Sequence, residues 1–107
     1  MPSDPEFVQF VIDQIDASCD ISCRAMFGGH TLYSHGKVVG LIGDNQLFVK
    51  PTEAGRAFIG DVVEAPAYEG ARPSFLIGDR VEDGEWLTEL IRTTERELPP
   101  PKRKRKA

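Results

Sequence analysis

Apolar residues near the start of the chain recur at the spacing of an amphipathic helix. Between Phe7 and Ile15 they fall within one arc at about 100° per residue, and acidic and amide side chains occupy the opposite side. Ser3 and Glu6 have the spacing of a capping box just before this run. A helix is therefore predicted to begin near Ser3 and to end between residues 18 and 20.

A second helical pattern lies near the end of the chain. Apolar residues share one face from Trp86 to Leu98, charged residues populate the other side, and Asp83 is placed to cap the first turn. Pro99 ends the pattern. Trp86 lies on the apolar face and is expected to anchor this helix to the sheet.

Between these helices the period of the hydrophobic pattern changes to two. Residues 23–50 alternate in the manner of strands with one buried face. The alternation is interrupted by Gly28-Gly29, His35-Gly36 and Asp44-Asn45. Because such dipeptides favour short turns, the segment predicts an antiparallel meander of three strands.

Shorter elements follow the meander. Pro51 ends its last strand, and residues 52–59 are predicted to form a short helix. Two apolar segments, residues 61–63 and 74–77, lie among prolines and glycines and are predicted to be two further strands.

These elements predict an α+β fold, with the terminal helices packed on one mainly antiparallel sheet. Their order is helix, three strands, helix, two strands, helix. Strict alternation in the meander puts Val39 and Leu41 on one sheet face and Ile42 on the other. The predicted core contains Phe7, Val11, Ile15, Phe27, Leu32, Leu41, Phe48, Phe58, Phe75, Leu87 and Ile91.

Composition agrees with a single soluble globular domain. The 107 residues are 40% apolar and 28% charged, which excludes disordered and fibrous classes. No run approaches the ~18 apolar residues of a membrane span, and the first residues lack the pattern of a signal peptide. Two cysteines cannot form a disulfide-rich scaffold. A cytoplasmic protein without membrane contact is expected.

The charge is distributed unevenly along the chain. Five of the 13 basic residues lie in the last six positions, so residues 1–98 hold eight basic and 17 acidic side chains, a formal charge of −9. An acidic body disfavours a folded nucleic-acid-binding surface. Residues 99–107, with three prolines and a charge run, are predicted to be a disordered tail after a domain of residues 1–98. Its basic residues are Lys102, Arg103, Lys104, Arg105 and Lys106.

Four residues have an order that zinc sites also use. Cys19, Cys23, His30 and His35 offer two thiolates and two imidazoles. However, the central spacer is shorter than that of a zinc finger, and His30 and His35 are an odd number of positions apart, which places them on opposite faces of a strand. Small buried cysteines and ordinary histidines are therefore expected, with no metal site.

Catalytic and cofactor-binding patterns are also weak. Phe27-Gly28-Gly29 lacks the lysine and the following helix of a phosphate-binding loop, so the glycines are expected to permit positive φ between two strands. Ser34, His35 and Asp44 supply the residue types of a catalytic triad without its sequence context. No catalytic residue and no cofactor are predicted.

Several short motifs resemble the N-terminal domain of the TfoX/Sxy family of competence regulators. They are Arg24-Ala25-Met26-Phe27-Gly28-Gly29, Leu32-Tyr33, Gly36-Lys37-Val38-Val39-Gly40-Leu41, Leu47-Phe48-Val49-Lys50, Ala65-Pro66-Ala67-Tyr68 and Pro73-Ser74-Phe75, followed by the helix with Trp86. The resemblance covers about residues 5–98 and implies a two-layer α+β domain with the element order given above, in a shape related to secretion chaperones. Met26, Phe27, Gly28, Gly29 and Tyr33 form its most specific motif, and the motif is expected to be structural.

The function that the resemblance implies is narrower than the family's known role. The family assists a cyclic-AMP-responsive transcription factor at competence promoters, but that activity belongs to longer proteins with a second, helical C-terminal domain. This sequence is expected to be an N-terminal domain standing alone.

Two classes of function follow, and neither is enzymatic. The first is a module that binds a protein partner, such as a transcription regulator, or a second copy of itself as a homodimer. Tyr68, on a predicted loop, is its candidate contact residue. The alternative is an accessory nucleic-acid-binding protein that uses the basic tail, with weak, non-specific binding at most.

Overall fold

A computed structural model describes residues 4–26, 29–67 and 70–98, with the side chain of Met26 left undescribed. Three helices and six strands form two layers, with the helices on one side of a single sheet. The helices are α1 (Pro5–Gln14), α2 (Glu53–Ile59) and α3 (Gly84–Glu97), and the strands are β1 (Ile21–Met26), β2 (Gly29–Ser34), β3 (Lys37–Gly43), β4 (Gln46–Val49), β5 (Glu64–Pro66) and β6 (Pro73–Ile77). The α+β class and the predicted succession of helix, meander, helix, strand pair and helix are confirmed.

The sheet has the order β1-β2-β3-β4-β6-β5, and every neighbouring pair is antiparallel. Its meander contains four strands where three were predicted, because each of the three interruptions separates two strands. At two of them, both turn residues have positive φ: His35 and Gly36 before β3, and Asp44 and Asn45 before β4. Two-residue turns with this geometry match the twist of the strands that they join.

A β-bulge in β3 breaks the strict alternation that the sequence predicted. Leu32 pairs with Gly40 and Tyr33 pairs with Val38, which leaves Val39 as the extra residue. As a result, Val39 and Ile42 are both in the core, and Leu41 lies on the other face. The predicted grouping of Val39 with Leu41 is therefore wrong.

Two other boundaries differ from the predictions. Helix α1 ends at Gln14, and a single 3-10 turn follows at Ala17–Cys19, because the side chain of Asp16 accepts a hydrogen bond from the Ser18 N–H and caps the new turn. The strand predicted at residues 61–63 is β5, which lies three residues later. By contrast, α2, β6 and α3 form where they were predicted.

The core lies between the helices and one face of the sheet. Six of the predicted core residues are buried in it: Val11, Ile15, Leu32, Phe75, Leu87 and Ile91. Phe7 and Phe58 pack at its margin, and Phe27 lies outside the described residues. Leu41 and Phe48 lie on the opposite sheet face, because the bulge and the turn before β4 set their register. Phe48 is buried there, at 3% exposure, whereas Leu41 is half-buried. Within the described ranges, no helix is long and apolar enough to cross a membrane.

Candidate functional site

One face of the sheet has no helix packed on it in the described part of the chain. A single row of residues crosses five strands on this face, each residue directly opposite the next. The row is Arg24, Thr31, Leu41, Phe48 and Leu76. The rows on either side of it, which contain Leu32 and Ile42, point into the core, so alternation places this row outward. We call this surface the open face.

The open face is apolar at its centre. Phe48 is only 3% exposed, while its neighbours Leu41 and Leu76 are half-buried. Val38 is 37% exposed, and Val63, whose carbonyl accepts a hydrogen bond from the Leu76 N–H, is 59% exposed. The apolar surface exposed on this side of the molecule therefore comes mainly from Val38 and Val63, around the buried Phe48.

A groove of about 550 Å³ lies at the end of the open face where β4 ends and β6 begins. Its apolar lining comes from Val38, Leu41, Pro51 and Pro73. Its charged lining comes from Lys50, Arg56, Arg72 and Glu64. We call this feature the groove.

The charges around the groove do not cancel. Arg56 pairs with Glu64 at 2.5 Å, and its guanidinium carbon lies 5.3 Å from the centre of the Phe75 ring. Lys50 and Arg72, in contrast, form no ion pair with any described carboxylate. Two cations without an ion-pair partner among the described residues therefore flank an apolar lining, in a domain whose formal charge is −9.

Two glycines of the resemblance motifs allow neighbouring strands to approach each other. A Cβ atom on Gly29 would lie 2.5 Å from the carbonyl oxygen of Ile42, and one on Gly40 would lie 2.5 Å from that of Phe48. The expectation of positive φ concerned Gly28 together with Gly29, and Gly28 lies outside the described residues, so it stays a prediction. Close approach of the backbone is the reason for glycine at positions 29 and 40.

Lys37 holds the end of α3 against the turn between β2 and β3. Its Nζ donates hydrogen bonds to the carbonyl oxygens of Glu95, at 3.0 Å, and Leu98, at 3.1 Å. It also forms an ion pair of 2.8 Å with the Glu95 carboxylate, and His35 Nδ1 lies 3.8 Å from the same carboxylate. Carbonyls in the last turn of a helix have no partner within the helix, so this lysine acts as a C-terminal cap. The sequence reasoning missed this role.

The cysteines and histidines are distributed over separate surroundings. Cys19 is buried in the 3-10 turn, where burial raises the pKa of its thiol, and Cys23 is half-buried at the core side of β1. His30 pairs across the strands with Ala25 and Ile42, whereas His35 is in a turn. Within residues 4–26, 29–67 and 70–98, no three His, Cys, Asp or Glu side chains come together as a metal-binding set. Absence of metal stays a prediction.

The candidate triad residues are likewise engaged separately. The Ser34 hydroxyl is buried and donates a hydrogen bond of 2.8 Å to the Cys19 carbonyl, and His35 faces Glu95. Asp44 belongs to the turn between β3 and β4. The acidic Asp83 has the capping role that was predicted, since its carboxylate accepts a hydrogen bond from the Trp86 N–H.

Trp86 lies at the margin of the core. Its ring is 5.5 Å from that of Phe58 in α2, and the Arg80 guanidinium carbon lies 4.8 Å from its centre. The indole therefore joins α3 to α2, while Leu87, Leu90 and Ile91 are the fully buried apolar residues of the same helix.

Of the remaining predicted site residues, some lie within the described ranges and others lie outside them. Tyr33 is half-buried on the open face, opposite Val38, and the backbone of Met26 ends β1. Several others lie outside the described residues: Phe27, Gly28, Tyr68, Lys102, Arg103, Lys104, Arg105 and Lys106. Their predicted roles in the motif, in partner contact and in the basic tail stay predictions.

Comparison with known proteins finds a matching domain family and a similar protein. The sequence pattern of the TfoX N-terminal domain matches residues 13–98. A protein of Spirochaeta aurantia, described as an uncharacterized 12.7 kDa protein in the trpE 5′ region, is 36% identical over 102 residues. That alignment covers 95% of this chain and 89% of the relative.

Proposed function

Because this chain belongs to the TfoX N-terminal domain family, we propose that it is a protein-interaction module whose partner binds the open face. The family is of a regulatory type and is not a known enzyme family. The module acts in the cytoplasm and without catalysis. Its partner is a protein that regulates transcription. The observation that carries the proposal is the apolar sheet face without a helical cover in the described chain.

An uncovered apolar sheet face has a physical consequence. In a two-layer fold the helices bury one face of the sheet, and the other face normally alternates to polar side chains. Here the outward row instead has the half-buried Leu41 and Leu76 on either side of the buried Phe48, and Val38 and Val63 are exposed beside it. Contiguous exposed apolar surface is typical of interaction sites. Covering it with a partner removes that surface from water and stabilises the complex.

Site-specific photo-crosslinking tests this proposal. A benzophenone amino acid is placed at Val38 on the open face or, as the matched control, at Phe10, an exposed aromatic on α1. After irradiation in native cell extract, we expect a discrete adduct from the Val38 position that excess untagged wild-type protein removes. Equal adducts from both positions, or adducts only from Phe10, would contradict the proposal. An adduct of twice the chain mass would identify a homodimer as the complex.

A further inference from the structure

The groove on the open face has the lining of a site for a peptide, and we propose that it takes an acidic, apolar segment of a different protein. The inference rests on the proposed interaction function and adds the chemistry of the partner. The segment places one or two apolar side chains against the groove lining and its carboxylates near Lys50 and Arg72.

The apolar half of the argument comes from the lining. Val38 and Leu41 form one wall, on β3, and Pro73 lies at the start of β6. A volume of about 550 Å³ accommodates a small number of side chains and not a folded domain. An extended or helical segment with exposed Leu, Ile or Phe side chains therefore fits this groove.

The acidic half of the argument comes from the separation of charge between the two sides of the domain. Acidic residues line the helical side, including Asp13, Asp16, Glu85 and Glu89, which border a depression between α1 and α3. The groove has Lys50 and Arg72 unpaired with described carboxylates. An acidic segment is therefore repelled by the helical side and attracted to the groove, which gives the complex one orientation.

A nucleic acid fits the open face less well. Single strands bind to sheets by stacking their bases on exposed aromatic rings. On this face Phe48 is 3% exposed and Tyr33 is half-buried, so the described surface offers no platform for successive bases. The apolar lining also matches side chains of a peptide better than phosphates.

A second copy of the chain fits less well too. The acidic side of one copy placed on the groove of another would be a head-to-tail contact, which builds rings or open chains of molecules and not a two-fold dimer. Residues 102–106 have the same sign of charge as the groove cations. The partner is therefore a different protein.

The test uses the full-length ¹⁵N-labelled protein and four defined probes at millimolar concentration. They are a 12-residue peptide in which Glu and Asp alternate with Leu and Phe, the same peptide with Lys in place of the acids, the same peptide with Ser in place of Leu and Phe, and a 12-nucleotide dT strand. We expect only the first to shift the amide signals of Val38, Leu41 and Ser74. The proposal would be overturned if the first probe shifts no groove signals, or if the Lys probe shifts them equally. Groove shifts with dT alone would show a nucleic-acid site instead.

Matched variants locate the binding. Reversal of both groove charges, Lys50→Glu with Arg72→Glu, is expected to raise the Kd for the first peptide about tenfold. Arg96→Glu, a reversal on the exposed helical side, is expected to leave its Kd within about twofold. Val38→Ser should weaken binding, and Val63→Ser, outside the groove lining, should not. Equal effects of the groove variants and their controls would overturn the site. If Val38 crosslinks a partner while the acidic peptide fails, the interaction function stands and this inference does not.

Discussion

At the scale of single residues, glycine is required in β3 for a reason that a turn signal does not reveal. Gly40 lies opposite Val49 in the middle of the sheet, and a methyl group there would meet a backbone oxygen that cannot rotate away. Gly43, in the same strand, has ordinary space around the position of a Cβ atom, with the Ala67 carbonyl 3.6 Å away.

Replacement of these two glycines by alanine should therefore have different effects. Gly40→Ala is expected to lower the free energy of unfolding by about 1–3 kcal/mol, since the strands must separate to admit the methyl group. Gly43→Ala is the control and should change it by less than about 0.5 kcal/mol. Urea unfolding followed by circular dichroism measures both. Similar losses for the two variants would show that the strand approach at Gly40 is not what restricts the residue.

Lys37 has a structural role that should be measurable in the same way. Lys37→Met keeps the length of the side chain but removes the donor for the Glu95 and Leu98 carbonyls, and it removes the ion pair of 2.8 Å with the Glu95 carboxylate. We expect a loss of about 1–3 kcal/mol in the free energy of unfolding. Lys50→Met is the control, because Lys50 is exposed and has no described ion-pair partner, and it should change stability little.

The two cysteines should differ in reactivity. Burial raises the pKa of the Cys19 thiol, so the reactive thiolate is disfavoured in the folded state, and the side chain is also inaccessible. Cys23 is half-buried. With iodoacetamide at pH 8, mass spectrometry should find Cys23 alkylated well before Cys19, and the difference should vanish in urea. Equal rates in the native protein would contradict the burial of Cys19.

The raised pKa of the Cys19 thiol also makes the free energy of unfolding depend on pH. A group whose pKa is higher in the folded than in the unfolded state contributes stability below its unfolded pKa and loses that contribution as the pH rises through the folded pKa. The domain should therefore unfold more readily at alkaline pH, and Cys19→Ala should reduce this alkaline dependence.

At the scale of elements, the two long helices begin with aspartates that are used differently. The Asp83 carboxylate accepts a hydrogen bond from the Trp86 N–H at the start of α3, while Asp4 at the start of α1 makes no such side-chain bond. Asp83→Ala is therefore expected to reduce the free energy of unfolding by about 0.5–2 kcal/mol, and Asp4→Ala by clearly less. Thermal unfolding of both variants measures the difference. A larger loss for Asp4→Ala would mean that its backbone position, and not a cap, matters at α1.

Elements with local signals were predictable from the sequence. Helix α3 carries its cap, its apolar face and its terminating proline in its own sequence, and α2 is bounded by Pro51 and Gly60. The bulge at Val39 and the position of β5 were not predictable, because both depend on which residues the neighbouring strands bring opposite them. Pairing across strands is a tertiary property, and alternation along one strand does not contain it.

The site shows the same division. Gly29 and Tyr33 were selected from the sequence, and the structure gives Gly29 a steric reason and places Tyr33 on the open face. The groove could not be predicted, because Val38, Lys50 and Arg72 are distant in sequence and become neighbours only through the order of the strands. The net charge of residues 1–98 is negative, so the sequence predicted an acidic domain. A net charge does not show that cationic side chains gather around the groove.

At the scale of the whole molecule, the basic residues 102–106 carry the alternative function of nucleic-acid binding. If all five charges contact phosphates, the logarithm of the binding constant should fall with the logarithm of salt at a slope of about −4.5, with Kd at the weak end of ~10⁻⁴–10⁻⁶ M. Titration of labelled duplex DNA with the full chain and with residues 99–107 deleted measures this. Binding that survives the deletion would place a nucleic-acid site on the folded domain, and no binding by either form would remove the alternative.

The hydrogen bonds between Lys37 and the end of α3 also determine from which side of the domain a fusion or tag after Leu98 extends. They fix Leu98, the last described residue, on the helical side of the sheet, so a tag, a surface or a second domain joined there extends from the side opposite the open face. A sensor chip that captures the domain through a tag placed directly after Leu98 should therefore leave the groove turned toward the solution. A short rigid fusion at the same point has no direct path to the groove, whereas a long flexible linker can pass around the edge of the sheet.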